Sequence, residues 1–149
     1  MFYTLFKTKS IPEIVELHRR WLAGEPDGEQ ARFVGRNLGG YDFSGMDLRG
    51  ADFRGAFLGD TDFSGADLRG ADLSCVNALH TNFRGTNLRG ACLRKADLLA
   101  AHLEGADLTD ADLTYTKYVG KIVDGKWEHK LLPAIERALR ELGRLPENA

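Results

Sequence analysis

The hydrophobic positions of the chain recur every fifth residue from Phe33 to Tyr118. Eighteen such centres fall in one register; eleven of them are Leu and five are Phe. Two residues before each centre the side chain is usually small, with Ala at ten positions and Thr at four. Two residues after it, Gly occupies ten of the seventeen positions from 35 to 115. A period sustained over this length indicates a repeat architecture.

Neither regular secondary structure keeps a five-residue period on one side. Five residues advance an α-helix by about 500°, so the centres would drift around it. In a flat strand, every fifth side chain points to the opposite face. A short extended segment that turns once per repeat keeps every centre inside, together with the small residue two positions earlier. Gly near each corner supplies the backbone freedom that a corner needs.

The pattern predicts that the chain closes into square coils of four repeats, stacked at the ~4.8 Å spacing of paired strands. Every twentieth centre then lies above its neighbour, which sorts the centres into columns. One column begins with three Phe residues and another is entirely Leu. These two columns supply the predicted structural core residues Phe43, Phe63, Phe83, Leu48, Leu68, Leu88 and Leu108.

The repeat pattern resembles that of the pentapeptide-repeat family. Four segments match the family consensus A(D/N)LXX almost literally: ADFRG at 51–55, ADLRG at 66–70, ADLTD at 106–110 and ADLTY at 111–115. The resemblance covers about residues 31–118. It implies an all-β solenoid, a right-handed quadrilateral β-helix. Eighteen repeats at four per coil make about four and a half coils, and we expect flanking α-helices at both ends.

Residues 1–30 are predicted to form an N-terminal strand and a capping helix. The first nine residues alternate as a short edge strand does. The segment SIPE at 10–13 is a capping box with Pro in the first turn, and apolar residues at helical spacing then predict a helix over 11–23, ended by Gly24. An open solenoid end exposes its core and unpaired backbone, so we expect this helix to cover the first coil. The segment 18–22 also resembles an entry helix of some bacterial pentapeptide-repeat proteins.

Residues 31–118 form the predicted solenoid, and 119–149 are predicted to form a hairpin-like linker and a C-terminal amphipathic helix. The dipeptide Asp124-Gly125 is a hairpin signal, and Trp127 would fold back on Ile122. A helix beginning at Pro133 either caps its own solenoid or joins two copies of the chain. The residues for this capping or dimer-forming role are Leu131, Ile135, Leu139 and Leu142.

One column departs from the core pattern at Ala78, where the period calls for a large side chain. Replacing a buried Leu by Ala typically costs about 2–5 kcal/mol. The residue two positions earlier is Val76 rather than Ala, and the pair restores part of the lost volume. We interpret this site as a local repacking or bulge, with a ligand cavity as the alternative.

The same face of the solenoid is unusual on its outside. Outward positions carry apolar residues where other faces carry Asp, Arg, Ser or Thr, and contiguous exposed apolar surface usually marks a contact. The candidate interaction surface consists of Phe57, Leu79, Leu99 and Ala100. The alternatives are a cover supplied by the N-terminal strand or C-terminal helix, a partner or dimer contact, and no role.

Charge is arranged by coil. Four successive blocks of twenty residues, from 36 to 115, carry net charges of 0, −3, +4 and −5. The basic block adjoins acidic blocks well within a Debye length, so we predict mutual neutralisation. The third block also carries Asn77, Asn82 and Asn87 in place of Asp, which avoids stacking like charges.

Composition excludes several classes of function. A formal net charge of −2 and a pI near 6.1 give no overall attraction to nucleic acid or to an anionic membrane, so neither is an expected partner. No apolar run approaches the ~20 residues of a membrane span, and the first ten residues lack the pattern of a secretory signal. Cys75 and Cys92 sit at different points of the repeat and face outward, so we expect no disulfide and a cytoplasmic location.

No enzyme site is expected. The regularly spaced Asp belongs to the repeat and is predicted to accept backbone hydrogen bonds at the corners. Paired catalytic carboxylates need distinct environments within a cleft, which a filled convex solenoid does not offer. His80 and His102 lie on adjacent coils without a third ligand. We predict no catalytic residue, no metal, no cofactor and no small-molecule site.

Two functions follow from this pattern. The favoured one is a non-enzymatic protein-interaction or scaffold module that contacts another protein or a second copy of itself. The alternative rests on the resemblance: some members of the family mimic a DNA duplex, modulate DNA gyrase and protect it from quinolones. Such mimicry needs a continuous acidic surface like the phosphate backbone, and the basic third block interrupts it. The projecting loops of some gyrase-protecting members are also absent, because the register has no insertion.

Overall fold

A computed structural model describes residues 8–118, 121–123, 126–128, 137–138 and 140–141. Within these ranges lie one helix, α1 (Ile11–Leu22), and two short strands, β1 (Lys121–Val123) and β2 (Lys126–Glu128). Most of the predicted N-terminal strand and the turn at 124–125 lie outside the described residues. So do all four apolar residues assigned to the C-terminal helix: Leu131, Ile135, Leu139 and Leu142.

The repeat region coils with a period of twenty residues. Fourteen isolated parallel bridges join residues twenty apart, from Arg32 with Asp52 to Asp97 with Lys117. Every bridging residue directly precedes a centre. The backbone hydrogen bonds follow the same rule: the N–H of Phe33 donates to the carbonyl of Asp52 at 2.7 Å. The predicted solenoid with four repeats per coil is therefore confirmed.

Each repeat ends in a tight turn with positive φ at its third residue. The N–H of Arg36 donates to the carbonyl of Phe33 at 3.0 Å, and Gly35 between them has φ 65°. This is the arrangement of a type II turn, which favours Gly at that position. All seventeen such positions share the positive φ, although only ten are Gly. The other seven, at φ 55–58°, are Asp60, Cys75, His80, Lys95, Ala100, Asp110 and Tyr115.

The core is built from the predicted columns. Phe63 stacks on Phe43 with ring centroids 5.1 Å apart and on Phe83 at 5.4 Å, within the range of favourable aromatic pairs. A second stack joins Phe33 and Phe53 at 4.9 Å and meets the first edge-on. The Leu column, also buried, consists of Leu48, Leu68, Leu88 and Leu108.

Thr replaces the small inner Ala at four positions without leaving a polar atom unpaired. Thr81 is fully buried, and its hydroxyl donates to the carbonyl of Leu58 at 2.6 Å. The same bond, always to the residue 23 positions earlier, is made by Thr61, Thr86 and Thr116. A buried hydroxyl needs such a partner because desolvating it without one costs free energy.

The irregular pair Val76 and Ala78 is buried, and the backbone beside it is locally stretched. The turn bond from the N–H of Val76 to the carbonyl of Leu73 is 3.5 Å long, against 3.0 Å for the equivalent bond at Ala71. The N–H of His80 also lies 3.3 Å from its acceptor. This stretching supports the interpretation of a local repacking.

Helix α1 begins and ends as its sequence indicates. Ser10 is the N-cap, and a reciprocal bond with Glu13 completes the capping box. Gly24 has φ 71° just beyond the C-cap. The helix buries His18, and it buries Ile14 in the same apolar cluster as the first coil.

The chain after the helix returns close to its backbone. A Cβ built on Gly28 would lie 2.2 Å from the backbone nitrogen of Trp21, so only Gly fits there. The N–H of Glu29 donates to the carbonyl of Leu17 at 3.0 Å. These contacts hold the linker beneath α1 and lead it into the first coil.

The other end of the chain is described in part. β1 and β2 pair antiparallel, with Ile122 opposite Trp127, as the hairpin signal predicts. Residues 137–138 and 140–141 are helical. Ala138 is only 4% exposed and belongs to the apolar core cluster. Together with Arg137 it lines a cleft against 105–109 of its own chain.

Candidate functional site

Thirteen of the eighteen centres are preceded by Asp or Asn, and each of these residues forms a small hydrogen-bonded turn. The side-chain oxygen accepts the backbone N–H two residues later; for Asp42 and Ser44 the distance is 2.8 Å. Thirteen described repeats share this bond, which confirms the predicted structural role of the repeated Asp. These carboxylates are therefore engaged with backbone at the corners, where Asx turns are common.

In the first two coils an Arg two residues later closes over the same carboxylate. Arg54 donates through Nε to Oδ1 of Asp52 at 2.9 Å and through Nη2 to Oδ2 at 2.7 Å. These bonds hold the pKa of the Asp52 carboxyl below its usual value, because they favour the charged form. The same clamp joins Arg49 with Asp47 and Arg69 with Asp67.

The third coil lacks these clamps, because Asn or Cys stands where the carboxylate would be. Its Arg side chains pair with acids of the next coil instead. The pairs are Arg84–Glu104 at 3.3 Å, Arg89–Asp107 at 3.7 Å and Arg94–Asp112 at 3.8 Å. This confirms the predicted neutralisation between coils. Single pairs of this exposure contribute only about 0–1 kcal/mol each.

The predicted interaction surface lies in one column of the solenoid. Bridges from Phe57 to Asn77 and from Asn77 to Asp97 align its repeats. Phe57 is 43% exposed and Leu79 is 39% exposed. Leu99 is half-buried and Ala100 is exposed. We refer to Phe57, Leu79, Leu99 and Ala100 as the apolar face.

Phe57 lies flat against the surface of the coils. A Cβ added at Gly39 would come within 2.9 Å of its ring, and one added at Gly59 within 2.5 Å. The two glycines thus leave room for the ring, and larger residues would lift it. The backbone at Leu79 and Leu99 is held in the same way as at the other corners, by Asn77 and Asp97.

A second polar arrangement lies at the upper end of the solenoid, under α1. The N–H of Ala31 donates to Nδ1 of His18 at 2.9 Å. The imidazole is fully buried and stacks on Trp21 at 5.3 Å, and its Nε2 has no hydrogen-bond partner. Burial lowers the pKa of His18, because the charged form is disfavoured there. The helical spacing places His18 on the inner face, but nothing in the sequence indicates which backbone group its ring meets.

The described part of the chain contains neither a candidate metal cluster nor a helix that could span a membrane. Among the described residues, no group of three or more His, Cys, Asp or Glu could hold a metal ion. Nδ1 of His102 contacts Arg84 at 3.0 Å, and His80 is exposed at a corner. No helix in the described ranges combines the length and apolar character needed to cross a membrane. Both cysteine thiols are free.

Comparison with protein families gives a match over most of the repeat region. The model described as Pentapeptide repeats (8 copies) matches residues 29–65, 61–98 and 91–117. Among curated proteins, none matches the chain significantly.

Solved structures with the same coil are found in cyanobacteria. The pentapeptide repeat protein Rfr23 from Cyanothece 51142 has 27% identity and a TM-score of 0.59 over 67% of this chain and 66% of that one. The pentapeptide repeat protein alr5209 from Nostoc Pcc 7120 has 28% identity and a TM-score of 0.50 over 72% of this chain and 86% of that one. The chain thus spans about two thirds of the length of Rfr23.

The plasmid-mediated fluoroquinolone resistance protein QnrB1 is a more distant match. Its identity to this chain is 21%, with a TM-score of 0.19 over 59% of this chain and 72% of that one. This similarity is too low to support a shared function.

Proposed function

The chain belongs to the pentapeptide-repeat family, and we propose that it is a non-enzymatic protein-interaction module whose contact surface is the apolar face. The observation that carries this proposal is the exposure of Phe57 and Leu79, at 43% and 39%, beside the buried centres Leu58 and Ala78. Contiguous apolar side chains on the outside of a folded protein usually mark a contact surface.

The geometry of the apolar face suits a binding surface. The Phe57 ring rests on the space left by Gly39 and Gly59. The backbone N–H groups of Leu79 and Leu99 are each bonded to the side chain two residues earlier, at 3.2 Å. Binding to such a preorganised surface loses little conformational entropy, which favours affinity.

The occupant we propose is another protein that presents a flat apolar patch. The face is a row of side chains on a straight-sided coil rather than a groove, so it matches a flat surface better than an inserted peptide. Polar residues border it, among them Asn77 and Asp97. A polar rim around an apolar centre is the usual anatomy of a protein interface.

The test compares Leu79→Ser and Leu99→Ser with the matched control Val34→Ser. Val34 occupies the same position in its repeat and is 51% exposed, but it lies on another face. Proteins captured from the source organism by the unmodified chain are identified and titrated against each variant. We expect the two face variants to weaken binding at least tenfold and the control to leave it unchanged. Cross-linking and mass measurement first show whether the partner is a second copy.

The proposal for this face fails if the chain is a monomer with no captured partner whose binding depends on Leu79 or Leu99. It also fails if the two Ser variants change only the free energy of unfolding. In that case the face is a feature of the coil's packing.

Modulation of DNA gyrase by DNA mimicry is the alternative that the charge distribution disfavours. Arg84, Arg89 and Arg94 lie between acidic coils and pair with the acids of the next coil, so the acidic surface is interrupted and partly neutralised. A gyrase supercoiling assay tests this directly. We expect no inhibition and no protection from quinolones at micromolar protein concentrations.

We also propose that residues 1–30 and 119–149 act as the two ends of the module and that residues 31–118 are its body. The bridges from Arg32 to Lys117 support these bounds.

The burial of Ala138 beside residues 105–109 supports a C-terminal helix that caps its own solenoid. The two free thiols, one of them exposed at Cys75, support a reducing compartment such as the cytoplasm.

A further inference from the structure

His18 completes the hydrogen bonding of the first coil. In each lower coil the N–H at the position equivalent to Ala31 donates to the carbonyl of the preceding centre. The N–H of Ala51 donates in this way to Leu48 at 3.1 Å, and that of Ala71 donates to Leu68 at 3.0 Å. Ala31 has no repeat before it. Nδ1 of His18 takes the place of the missing carbonyl, at 2.9 Å.

Only a neutral His18 imidazole can accept the hydrogen bond from the Ala31 N–H. The bond from Ala31 requires a lone pair on Nδ1, so the ring proton is on Nε2, which is buried without a partner. A second proton would have to enter at Nδ1. Two N–H donors would then face each other at hydrogen-bond distance, and the fully buried ring would carry a charge.

We propose that His18 is an acid-sensitive latch, whose protonation releases α1 from the first coil and opens the upper end of the solenoid. Release separates Ile14 from the apolar cluster that it shares with Phe33 and Leu38, and it exposes the buried ring of His18. The open end presents apolar core and the upper edge of the first coil, which is a surface that can pair with another chain.

The surroundings of His18 support a transition below neutral pH. Burial lowers its pKa; the Asp47 carboxylate and the backbone of Arg49 oppose that effect, and the charge of the Arg49 side chain reinforces it. These two first-coil residues are the charged groups that face the ring. Glu13 accepts the backbone N–H of Ser10. Ion pairs engage the other charged side chains of α1 and the linker: Glu16–Arg19, Arg20–Glu25, Arg20–Asp27 and Lys9–Glu29.

The direction of the pH effect follows from linkage. The released helix binds a proton near the ordinary His pKa of about 6.5, whereas the seated helix binds it only at lower pH. The latch therefore contributes stability that is fully present above about pH 6.5 and is lost as pH falls below it. One proton changes the opening equilibrium by at most about tenfold per pH unit. Carboxylates titrate nearer pH 4, so the range from pH 7 to pH 5 separates the histidines from the carboxylates.

Hydrogen exchange followed by mass spectrometry tests the latch in the full-length chain. Rates for peptides covering 10–31 and 51–95 are measured from pH 7 to pH 5 and divided by the intrinsic rate of an unstructured peptide at each pH. We expect the protection of 10–31 to fall as the pH decreases, by up to about tenfold per unit, while that of 51–95 stays constant. Constant protection of 10–31 across this range overturns the proposal.

Two Asn variants show whether the pH dependence of protection arises from His18. In His18→Asn, the side-chain oxygen can accept the Ala31 N–H and does not titrate, so the pH dependence should disappear. His80→Asn makes the same change at an exposed corner whose positive φ Asn tolerates, and it should retain the full pH dependence. Persistence of the pH dependence in His18→Asn contradicts the latch.

A measurement on the unmodified chain covers the case in which His18→Asn leaves the helix released at every pH. The ring protons of His18 and the amide proton of Ala31 are followed by NMR through the same titration. We expect loss of the Ala31 amide protection to share its midpoint with the His18 titration, below pH 6.5. Two separate midpoints overturn the proposal.

Discussion

Asn82 donates a side-chain hydrogen bond of 3.1 Å to Oδ1 of Asp62 in the coil above. A consensus Asp at position 82 would instead place two carboxylates on neighbouring strands. We expect Asn82→Asp to lower the free energy of unfolding by about 0.5–1 kcal/mol at pH 7, because like charges on directly opposed strand positions repel. Thermal unfolding at pH 7 measures this change.

The matched control is Asn37→Asp, at the same repeat position but bridged to Phe57 rather than to an acid. It should have little effect. The loss in Asn82→Asp should also shrink in high salt, which screens exposed charges. An equal loss in both variants would show that repulsion is not its cause.

A substitution at the Ala100 corner should make the folded chain more stable. Ala100 has φ 55°, where an L-residue costs about 1 kcal/mol relative to Gly. We expect Ala100→Gly to raise the free energy of unfolding by about that amount, measured by denaturant unfolding. The reverse change, Gly55→Ala, should cost a similar amount, since its Cβ meets nothing within 4 Å and the effect is confined to the backbone. A loss of stability in Ala100→Gly would contradict this account.

Val76 and Ala78 should behave as a coupled pair. Ala78→Leu alone adds volume to a buried site and should cost about 1–3 kcal/mol. Val76→Ala alone leaves a void and is also destabilising. The double variant restores the consensus pair and should be at least as stable as the unmodified chain. A double-mutant cycle measures the coupling, and simple additivity of the two losses would contradict the repacking interpretation.

The seating of α1 depends on Gly28. Gly28→Ala would place a Cβ 2.2 Å from the Trp21 backbone nitrogen, so the linker and helix must separate. We expect α1 to become sensitive to proteolysis while the coils remain folded. Gly24→Ala is the control, because its Cβ has open space and only the positive φ opposes it, at a cost of about 1 kcal/mol. Equal protease sensitivity in the two variants would show that this close approach does not hold the helix.

The sequence predicts the coil well because every repeat presents the same constraint. The five-residue period, the small inner residue and the Gly corners all require one geometry, and the bridges from Arg32 to Lys117 follow it. The capping box at Ser10 likewise marks the start of α1. These features are local or periodic, so they are visible in the chain itself.

The polar contacts between elements that are distant in the chain are harder to predict from the sequence. Nothing in the sequence states that Nδ1 of His18 meets the N–H of Ala31, because that bond depends on how the helix sits on the coil. The turning of Arg84 towards Glu104 depends in the same way on the neighbouring coil. Interaction of the apolar face with a partner remains a prediction, since it requires a surface outside this chain.

The charge pairing between the third and fourth coils makes those coils non-interchangeable. By backbone bonding alone, any block of twenty residues could be removed and the cut ends would rejoin in register, shortening the rod by one strand spacing. Removing residues 76–95 would take away the basic side chains that now pair with Glu104, Asp107 and Asp112. The surface ion pairs of this protein therefore depend on the order of the coils and not only on their number.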